Sequence, residues 1–330
     1  MTRFEEPHFT TIPIGDASLL PACTGVYMFG DRHGSTLYVG KAKDLRRRVA
    51  QHLLEGRHRP GAKGTRTGRK RILMTATRSV TWQPAETELE ALLLEDSLIK
   101  KYRPAFNRRQ NKFTQLAYLR LSLGGIRPTV RVTDQPETSG SFGPFADRFF
   151  AQRVAAILDE QFGISSPYCA GLQRKGPEAA AAVRFLQGYD DGIIWSLQEQ
   201  TRRRASELQF ERAAKTRDEV VFCQRFLRRQ AFTRAFSLGI LIVSEAESPN
   251  EGLHYLFVNG RLADRARGGI PECWKSDSAR PVNGAEEPQW MRSERALVVY
   301  AWLSANSRRR SVQILGEHGS SESLSMARRS

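Results

Sequence analysis

One carboxylate stands within an apolar helical pattern. Glu95 has only apolar residues three and four positions away along the predicted helix: Ala91, Leu92, Leu98 and Ile99. A buried carboxylate costs free energy unless a partner compensates for it. A divalent cation is the natural partner where the site also faces phosphate. The alternative is a helix rotated so that Glu95 lies at the rim of the core.

A second candidate group is cationic. Arg48 and His52 are four residues apart in a segment that predicts a helix from Asp44 to Leu54, so they share one helix face. Leu45 and Val49 border that face and turn it toward a sheet. A guanidinium directed into a cleft suits a pentacovalent phosphate, whose negative charge grows in the transition state. A surface helix with an arginine-rich face is the alternative.

Two tyrosines lie in short segments that predict strands. Tyr27 ends the run 25–27, and Tyr38 begins the run 38–41, which ends in Lys41. Residues 31–35 between them predict a turn. Glycines beside the tyrosines allow close approach to the backbone. A plain β-hairpin with two packed tyrosines would explain the same pattern.

The chain is strongly basic. Its 330 residues carry a net charge of +16, which argues against a typical metabolic enzyme and favours a polyanion as partner, most simply nucleic acid. A solvated basic surface is the alternative. The charge concentrates in residues 40–71, and the candidate DNA contacts there are Lys43, Arg46, Arg47, Lys70 and Arg71.

Cysteine spacing and hydropathy argue against several metal-binding and membrane classes of protein. The four cysteines, Cys23, Cys169, Cys223 and Cys273, form no CxxC pair, which argues against a zinc ribbon or an iron–sulfur cluster. Scattered single cysteines suit a reducing cytoplasm. No run is long enough to span a bilayer, and the N-terminus lacks a signal-peptide pattern. We therefore expect a soluble cytoplasmic protein without a membrane partner.

The chain divides into five predicted regions: 1–20, a lead-in; 21–110, the segment with the candidate site; 111–192, a connecting region; 193–232, a charged helical segment; and 233–330, a small C-terminal region. The predicted elements of the second region include a basic loop near 60–68, a strand over 72–82 and a helix over 86–102. Strands near 116–123 and 129–132, a helix near 149–162 and a linker or weak helix over 175–183 follow. Residues 236–265 alternate as strands do, and residues 307–330 predict a disordered tail.

The order of the tyrosine strands, the basic helix and the helix with Glu95 resembles that of the GIY-YIG nuclease family. It resembles in particular the N-terminal domain of the UvrC excision-repair endonucleases. The similar segments are TGVYMF (24–29), LYVGKAKDLRRRV (37–49) and LEDSLIKKYRPAFN (94–107). The resemblance covers about residues 20–110 and implies an α+β fold, a small mixed sheet flanked by helices. UvrC proteins usually carry tyrosine where this chain has His52.

The resemblance also implies roles. Glu95 would hold one Mg²⁺ or Mn²⁺ on the scissile phosphate. Tyr27 would activate or orient the water, and Arg48 would stabilise the developing charge. The remaining groups would tune protonation or support the site: Tyr38, Lys41, His52 and Asn107.

Residues 205–227 are similar to the UVR motif, the helical hairpin by which UvrC and UvrB bind each other. Sparse apolar residues lie among charges of both signs, which suits a small hairpin that docks on a similar partner. The candidate contacts are Phe210, Glu211, Arg217 and Asp218. An intramolecular helix pair is the alternative.

The departures from the UvrC pattern define the function we expect. Only Cys169 remains where UvrC has a cysteine cluster, and the ribonuclease-H-type carboxylates and helix-hairpin-helix motifs are missing. This architecture, an N-terminal nuclease domain without the second nuclease domain of UvrC, is similar to that of the short homologue Cho, which incises only 3′ to a lesion. We expect a metal-dependent endonuclease acting on damaged double-stranded DNA bound to UvrB, with UvrA upstream. The alternatives are a catalytically silent DNA-binding adaptor, a truncated UvrC, and another GIY-YIG nuclease that cuts undamaged DNA.

Overall fold

The computed structural model describes residues 8–57, 66–107, 116–123, 128–136, 140–145, 147–164, 177–189, 191–246, 252–274, 287–305, 309–315 and 321–323. The chain divides into two compact units, residues 1–114 and 115–330. Both combine helices with antiparallel sheets. The α+β class predicted from the sequence is confirmed, but the sheet of the first unit, expected to be mixed, is antiparallel throughout its described strands.

The first unit is built on a four-stranded antiparallel sheet. Its strands are β1 (Thr10–Pro13), β2 (Gly25–Gly30), β3 (Thr36–Ala42) and β4 (Ser79–Pro84), in the spatial order β1-β4-β2-β3. A 3₁₀ helix, Ile14–Leu19, follows β1. The helices of this unit are α1 (Leu45–Arg57), α2 (Arg66–Ala76) and α3 (Glu88–Tyr102). Strand β3 therefore lies at one edge of the sheet.

Alternation along β2 divides the core of this unit into two layers. Tyr27 and Phe29 pack on the side of α1 and α2, whereas Val26 and Met28 pack on the side of α3. Successive strand residues point to opposite faces, so a four-residue stretch supplies both layers. The sheet thus carries the tyrosine cluster on one face and α3 on the other.

Local signals in the sequence explain the β2–β3 hairpin and α3. The Asp31 carboxylate accepts hydrogen bonds from the backbone N–H of His33 (2.8 Å) and Ser35 (2.9 Å), which closes the predicted turn. The Thr87 hydroxyl caps α3 by accepting from the Glu90 N–H, and the helix ends where Arg103 adopts the left-handed conformation. The predicted hairpin and the predicted helix over 86–102 are confirmed.

The predicted strand over 72–82 is wrong in its first half. Residues up to Ala76 belong to α2, and only from Ser79 does the chain become β4. Leu73 is buried in the core beside Leu45 and Val49 of α1, so a helix rather than a strand places it there. Most of the basic loop predicted at 60–68 lies outside the described residues.

The second unit contains two further antiparallel sheets. A three-stranded sheet has the order β6-β5-β7, and a five-stranded sheet has the order β10-β9-β8-β11-β12. The strands are β5 (Ala117–Ser122), β6 (Thr129–Thr133), β7 (Ser141–Phe145), β8 (Ile240–Ala246), β9 (Gly252–Val258), β10 (Arg261–Gly268), β11 (Arg310–Leu315) and β12 (Ser321–Ser323). The helices are α4 (Arg148–Phe162), α5 (Pro177–Leu186), α6 (Gly192–Ser206), α7 (Phe210–Leu238) and α8 (Gln289–Ala305).

One prediction for this unit agrees with the structure and another needs correction. The segment predicted as a linker or weak helix over 175–183 is helical from residue 177 onward, within α5. The tail predicted as disordered from residue 307 contains β11, in which Val312 is buried and Arg310 pairs with Glu245 of β8 at 2.6 Å. Short polar segments are hard to recognise as strands when a distant strand supplies their partners. In the described part of the chain, no helix combines the length and the apolar character needed to cross a bilayer.

Candidate active site

The outer edge of β3 is covered by side chains. Asn107 accepts a hydrogen bond from the Val39 N–H (2.8 Å) and donates one to the Val39 carbonyl (2.7 Å). The Phe106 N–H donates to the Leu37 carbonyl at 3.1 Å, so the segment after α3 runs along this edge. Buried backbone groups at a sheet edge need such partners. Asn107 is buried and supports the strand on which Tyr38 and Lys41 lie.

Glu95 reaches the same edge from α3. Its Oε1 accepts a hydrogen bond from the Lys41 backbone N–H at 3.0 Å. The residue is only 4% exposed and lies on the helix between Ala91 and Leu98, both of which are buried. The helix is therefore not rotated to bring Glu95 to the rim. The buried carboxylate that the apolar pattern indicated lies where the edge strand ends.

The opposite face of the sheet carries a cluster of aromatic rings. The Tyr27 hydroxyl and Nε2 of His52 are 2.9 Å apart. The Tyr38 ring centroid is 6.0 Å from that of Tyr27 and 5.5 Å from that of His52, and Phe29 packs against all three. The two tyrosines and the histidine identified in the sequence are thus brought together. Phe29 was not identified, although its position two residues after Tyr27 places it on the same strand face.

Burial and charge set the protonation of the two phenols. Burial raises the pKa of Tyr27 well above its ordinary value, and Tyr38 adds to this effect. Burial also raises the pKa of Tyr38, as does the negative charge of Glu95, whereas Arg48 lowers it. Both phenols are therefore protonated near neutral pH. The influence of Glu95 on Tyr38 links the carboxylate to the aromatic cluster around the end of β3.

Gly40 allows the cluster to form. A Cβ atom at this position would lie 2.7 Å from the Tyr27 hydroxyl oxygen and 2.8 Å from a ring carbon of Tyr38. Real Cβ atoms do not approach other heavy atoms so closely. The close approach that glycines beside the tyrosines suggested is found at this residue.

Arg48 lies on α1 beside both phenols. Its Nη1 donates a hydrogen bond to the Gln51 side chain at 2.8 Å. Partial burial opposes its charge, but Tyr27 and Tyr38 leave the Arg48 pKa above its ordinary value, so the guanidinium stays charged. Arg48 therefore lies on the same side of α1 as His52, next to the aromatic cluster.

His52 is buried and neutral. Burial, together with the nearby positive charge of Arg48, lowers its pKa from 6.5 to about 4. Its Nδ1 makes no hydrogen bond to any described residue, whereas Nε2 meets Tyr27. A neutral imidazole ring donates from one nitrogen and accepts at the other. Which nitrogen of His52 carries the proton therefore depends on whether the Tyr27 hydroxyl donates to Nε2 or accepts from it.

Glu88 is a charged residue of the site that the sequence analysis missed. Its two carboxylate oxygens pair with the ammonium groups of Lys41 (3.1 Å) and Lys43 (3.3 Å). Glu88 is seven residues before Glu95, a spacing that places both on one face of α3. That spacing could have identified it.

The predicted DNA contacts differ in their availability. Arg47 and Arg71 are exposed, and the Lys43 side chain is 74% exposed. Arg46 donates to the Leu20 carbonyl (2.6 Å), and Lys70 forms an ion pair with Glu55. Arg47, Arg71 and Lys43 are the members of the predicted set best placed to meet a phosphate backbone.

The donor set fits a weakly chelated hard cation. The described residues contain no cluster of three or more histidine, cysteine or acidic side chains, so a zinc-type cage is not formed there. Mg²⁺ commonly keeps several waters and binds through one or two carboxylates plus substrate phosphate. Glu95, a buried carboxylate beside a candidate phosphate site, suits that mode of binding. Cys169, the remnant of the cysteine pattern, lies outside the described residues.

The segment similar to the UVR motif is a helical hairpin. Helices α6 and α7 are joined by a short turn that includes Leu208, whose φ is +59°. Phe210 at the start of α7 is 65% exposed, and Glu211, Arg217 and Asp218 are exposed as well. Farther along α7, Val220, Cys223 and Phe226 are buried in the core of the second unit. The hairpin therefore has a packed end and an exposed end.

Comparison with known proteins gives one family match. Residues 23–108 match the UvrC-like GIY-YIG domain. The chain is 29% identical over 271 residues to UvrABC system protein C of Carboxydothermus hydrogenoformans, covering 74% of this chain and 43% of that protein. It is 30% identical over 284 residues to UvrABC system protein C of Mycobacterium tuberculosis, covering 77% and 43%.

Solved structures of a UvrC nuclease domain match part of this chain. The magnesium-bound GIY-YIG N-terminal endonuclease domain of UvrC from Thermotoga maritima is 31% identical, and the match covers 28% of this chain and 92% of that one, with a TM-score of 0.24. The chain spans less than half the length of the curated relatives it matches.

Proposed function

Because residues 23–108 form a UvrC-like GIY-YIG endonuclease domain, we propose that this chain is a metal-dependent DNA endonuclease of nucleotide excision repair. The observation that carries the proposal is the buried Glu95 carboxylate at the end of β3, next to the strand that bears Tyr38. The net charge of +16 supports a polyanionic substrate. A cytoplasmic location, with access to chromosomal DNA, belongs to the same proposal.

Accessibility divides the roles of the two tyrosines. Tyr27 is 1% exposed and is bound to His52, whereas Tyr38 is partly exposed. The family resemblance implied that Tyr27 contacts the attacking water. Because Tyr38 is the more accessible of the two, we assign this contact to Tyr38 instead. Tyr38 is a phenol at rest and orients the water by a hydrogen bond. Tyr27 and His52 hold the Tyr38 ring in place from the interior.

Arg48 stabilises the charge that develops on the phosphate. Its guanidinium is already charged and is directed toward the phenols, so it needs no reorganisation when the phosphorane forms. Glu95 would hold one Mg²⁺ or Mn²⁺. When bound, such an ion supplies Lewis-acid polarisation of the phosphate and stabilisation of the leaving oxygen. Asn107 keeps β3, and with it Tyr38, in register with α3.

A nicking assay with Glu95→Gln tests the proposal. Wild-type protein should nick duplex DNA in Mg²⁺, and Glu95→Gln should not, because the amide lacks the charge that holds a cation. DNA affinity should change by no more than a few fold, since phosphate contacts supply most of the affinity. A near-normal rate for Glu95→Gln would contradict the site assignment, and an inactive wild type would favour a silent adaptor.

The substrate, the partner and the side of incision that we propose are those expected from the sequence. We propose that the chain acts on damaged double-stranded DNA bound to UvrB, after UvrA, and cuts once on the 3′ side of the lesion. The α6–α7 hairpin, with Phe210 exposed at its turn, is the proposed UvrB contact. The absence of an iron–sulfur cluster stays a prediction.

A further inference from the structure

Glu88 holds two lysines at the end of β3. Its Oε1 is 3.1 Å from the Lys41 ammonium and its Oε2 is 3.3 Å from the Lys43 ammonium. The Glu88 and Lys41 side chains are 35% and 32% exposed, so this pair is only partly open to water. Lys43 is far more exposed and can exchange its partner readily.

Lys41 is held from two directions by one helix. Glu95 accepts a hydrogen bond from its backbone N–H, and Glu88 pairs with its side chain. Glu88 and Glu95 are two helical turns apart on the same face of α3. Lys41 is thereby fixed at both the backbone and the ammonium.

The charges around this pair explain why Glu88 stays ionised. Burial raises the Glu88 pKa, but the hydrogen bonds and charges of Lys41 and Lys43 outweigh burial and leave the pKa below its ordinary value. A carboxylate placed between two ammonium groups occupies the position that a phosphate would otherwise favour. Glu88 thus restrains the Lys41 ammonium.

We propose that Glu88 is a positioning residue of the nuclease: it fixes the Lys41 ammonium at the end of β3, the strand whose backbone Glu95 binds, and acts on the reaction only through that lysine. The inference rests on the function proposed above. A partly exposed ion pair contributes little to stability. Loss of Glu88 therefore leaves the fold intact, because Asn107 and Glu95 still hold β3, and its effect falls on the reaction.

A double-mutant cycle tests the inference. Single-turnover nicking in Mg²⁺ is compared for wild type, Glu88→Gln, Lys41→Gln and the double variant. We expect Glu88→Gln to nick about 10-fold more slowly, and the double variant to be no slower than Lys41→Gln alone. DNA binding by Glu88→Gln should be equal or tighter, because a negative charge is removed. Glu86→Gln, an exposed acid just before α3, is the matched control and should nick normally.

A second measurement does not depend on activity. Acetylation of lysine amines, read by mass spectrometry, should be faster at Lys41 in Glu88→Gln than in wild type. Lys100, which pairs with Asp96, serves as internal reference and should not change. Unchanged Lys41 reactivity, additive effects in the cycle, or full activity of Glu88→Gln would overturn the inference. An inactive wild type would overturn the proposed function, and with it the role of Glu88 in the reaction.

Discussion

Arg48 interacts with Tyr27 and Tyr38 and is held by Gln51 on its own helix. Its planar fork can bind two phosphate oxygens at once, which a lysine ammonium cannot do. Glu95 and His52 likewise make identifiable contacts, with the Lys41 N–H and the Tyr27 hydroxyl. At the scale of residues, burial is the largest influence on the pKa of Tyr27, Tyr38 and His52, and neighbouring charges modify it.

Replacement of Arg48 by lysine should therefore not preserve activity. We expect Arg48→Lys to lose on the order of 10²-fold or more in nicking rate, as for other preorganised charge stabilisers. Arg47→Lys, the same change at the exposed neighbouring position, should nick at nearly the normal rate. The measurement is single-turnover nicking at saturating protein. Normal turnover by Arg48→Lys would show that α1 only contacts the DNA backbone.

His52 should make stability depend on pH. Its pKa is about 4 in the folded protein and 6.5 ordinarily, so the unfolded chain binds the proton more readily between these values. The free energy of unfolding should therefore fall as pH drops from 6.5 to 4, by up to about 3 kcal/mol from this residue. Urea denaturation of wild type and His52→Tyr, near neutral pH and near pH 4.5, checks this. The variant should lose less stability on acidification. Equal losses would show that His52 does not have a lowered pKa in the folded protein.

At the scale of elements, the edge strand β3 organises the site. One of its faces carries Tyr38 and Gly40 toward the aromatic cluster, while its outer edge is bound by Asn107 and Glu95. The helix that bears Glu95 and the helix that bears Arg48 lie on opposite faces of the sheet. Because β3 is the edge strand, Tyr38 on this strand is influenced by the charges of both Glu95 and Arg48.

Gly40→Ala tests the close contact on which this arrangement depends. The added methyl group would overlap the Tyr27 hydroxyl and the Tyr38 ring, so we expect a loss of about 1–3 kcal/mol in stability and a strong loss of nicking. Gly15→Ala, where no heavy atom lies within 4 Å of the new Cβ, is the control and should change neither. The measurements are thermal denaturation and the nicking rate of both variants. A fully stable and active Gly40→Ala would mean that the rings are loosely packed.

The sequence predicted the elements whose signals are local. The turn at 31–35, the helix over 86–102 and the apolar border of α1 are all visible in short windows, and the structure agrees with them. The sequence did not predict α2 or β11, because tertiary contacts decide them: Leu73 packs against α1, and Arg310 meets Glu245 of a distant strand. Glu88 was missed because a partly exposed acid in the first turn of a helix looks like ordinary capping.

At the scale of the whole molecule, the most basic segment and the hairpin proposed to bind UvrB are separate parts of the sequence. Residues 40–71 are strongly basic, whereas the α6–α7 hairpin mixes acids with arginines and lysines. A surface that binds phosphate favours one sign of charge, so the hairpin suits a protein partner better than DNA. Its apolar side chains near the turn, Leu208 and Phe210, are exposed.

Phe210→Ala should weaken UvrB binding and lesion-dependent incision together. Aromatic anchors in small interfaces commonly cost about 2 kcal/mol, roughly 30-fold, on truncation. Phe149→Ala is the matched control, since Phe149 is 83% exposed on α4 and should be neutral in both assays. The measurement is a UvrB pull-down beside a salt titration of DNA binding. Intact UvrB binding with reduced DNA affinity would return the hairpin to a DNA-contact or structural role.

The most direct test of the whole account is incision of an end-labelled duplex that carries one defined lesion. The full chain is added in Mg²⁺ with and without UvrA and UvrB, and Glu95→Gln serves as the inactive control. The account predicts a single cut on the 3′ side of the lesion, which requires UvrA and UvrB and is absent with Glu95→Gln. Equal cutting of undamaged duplex, cutting independent of UvrB, or no cut by the wild type would contradict it.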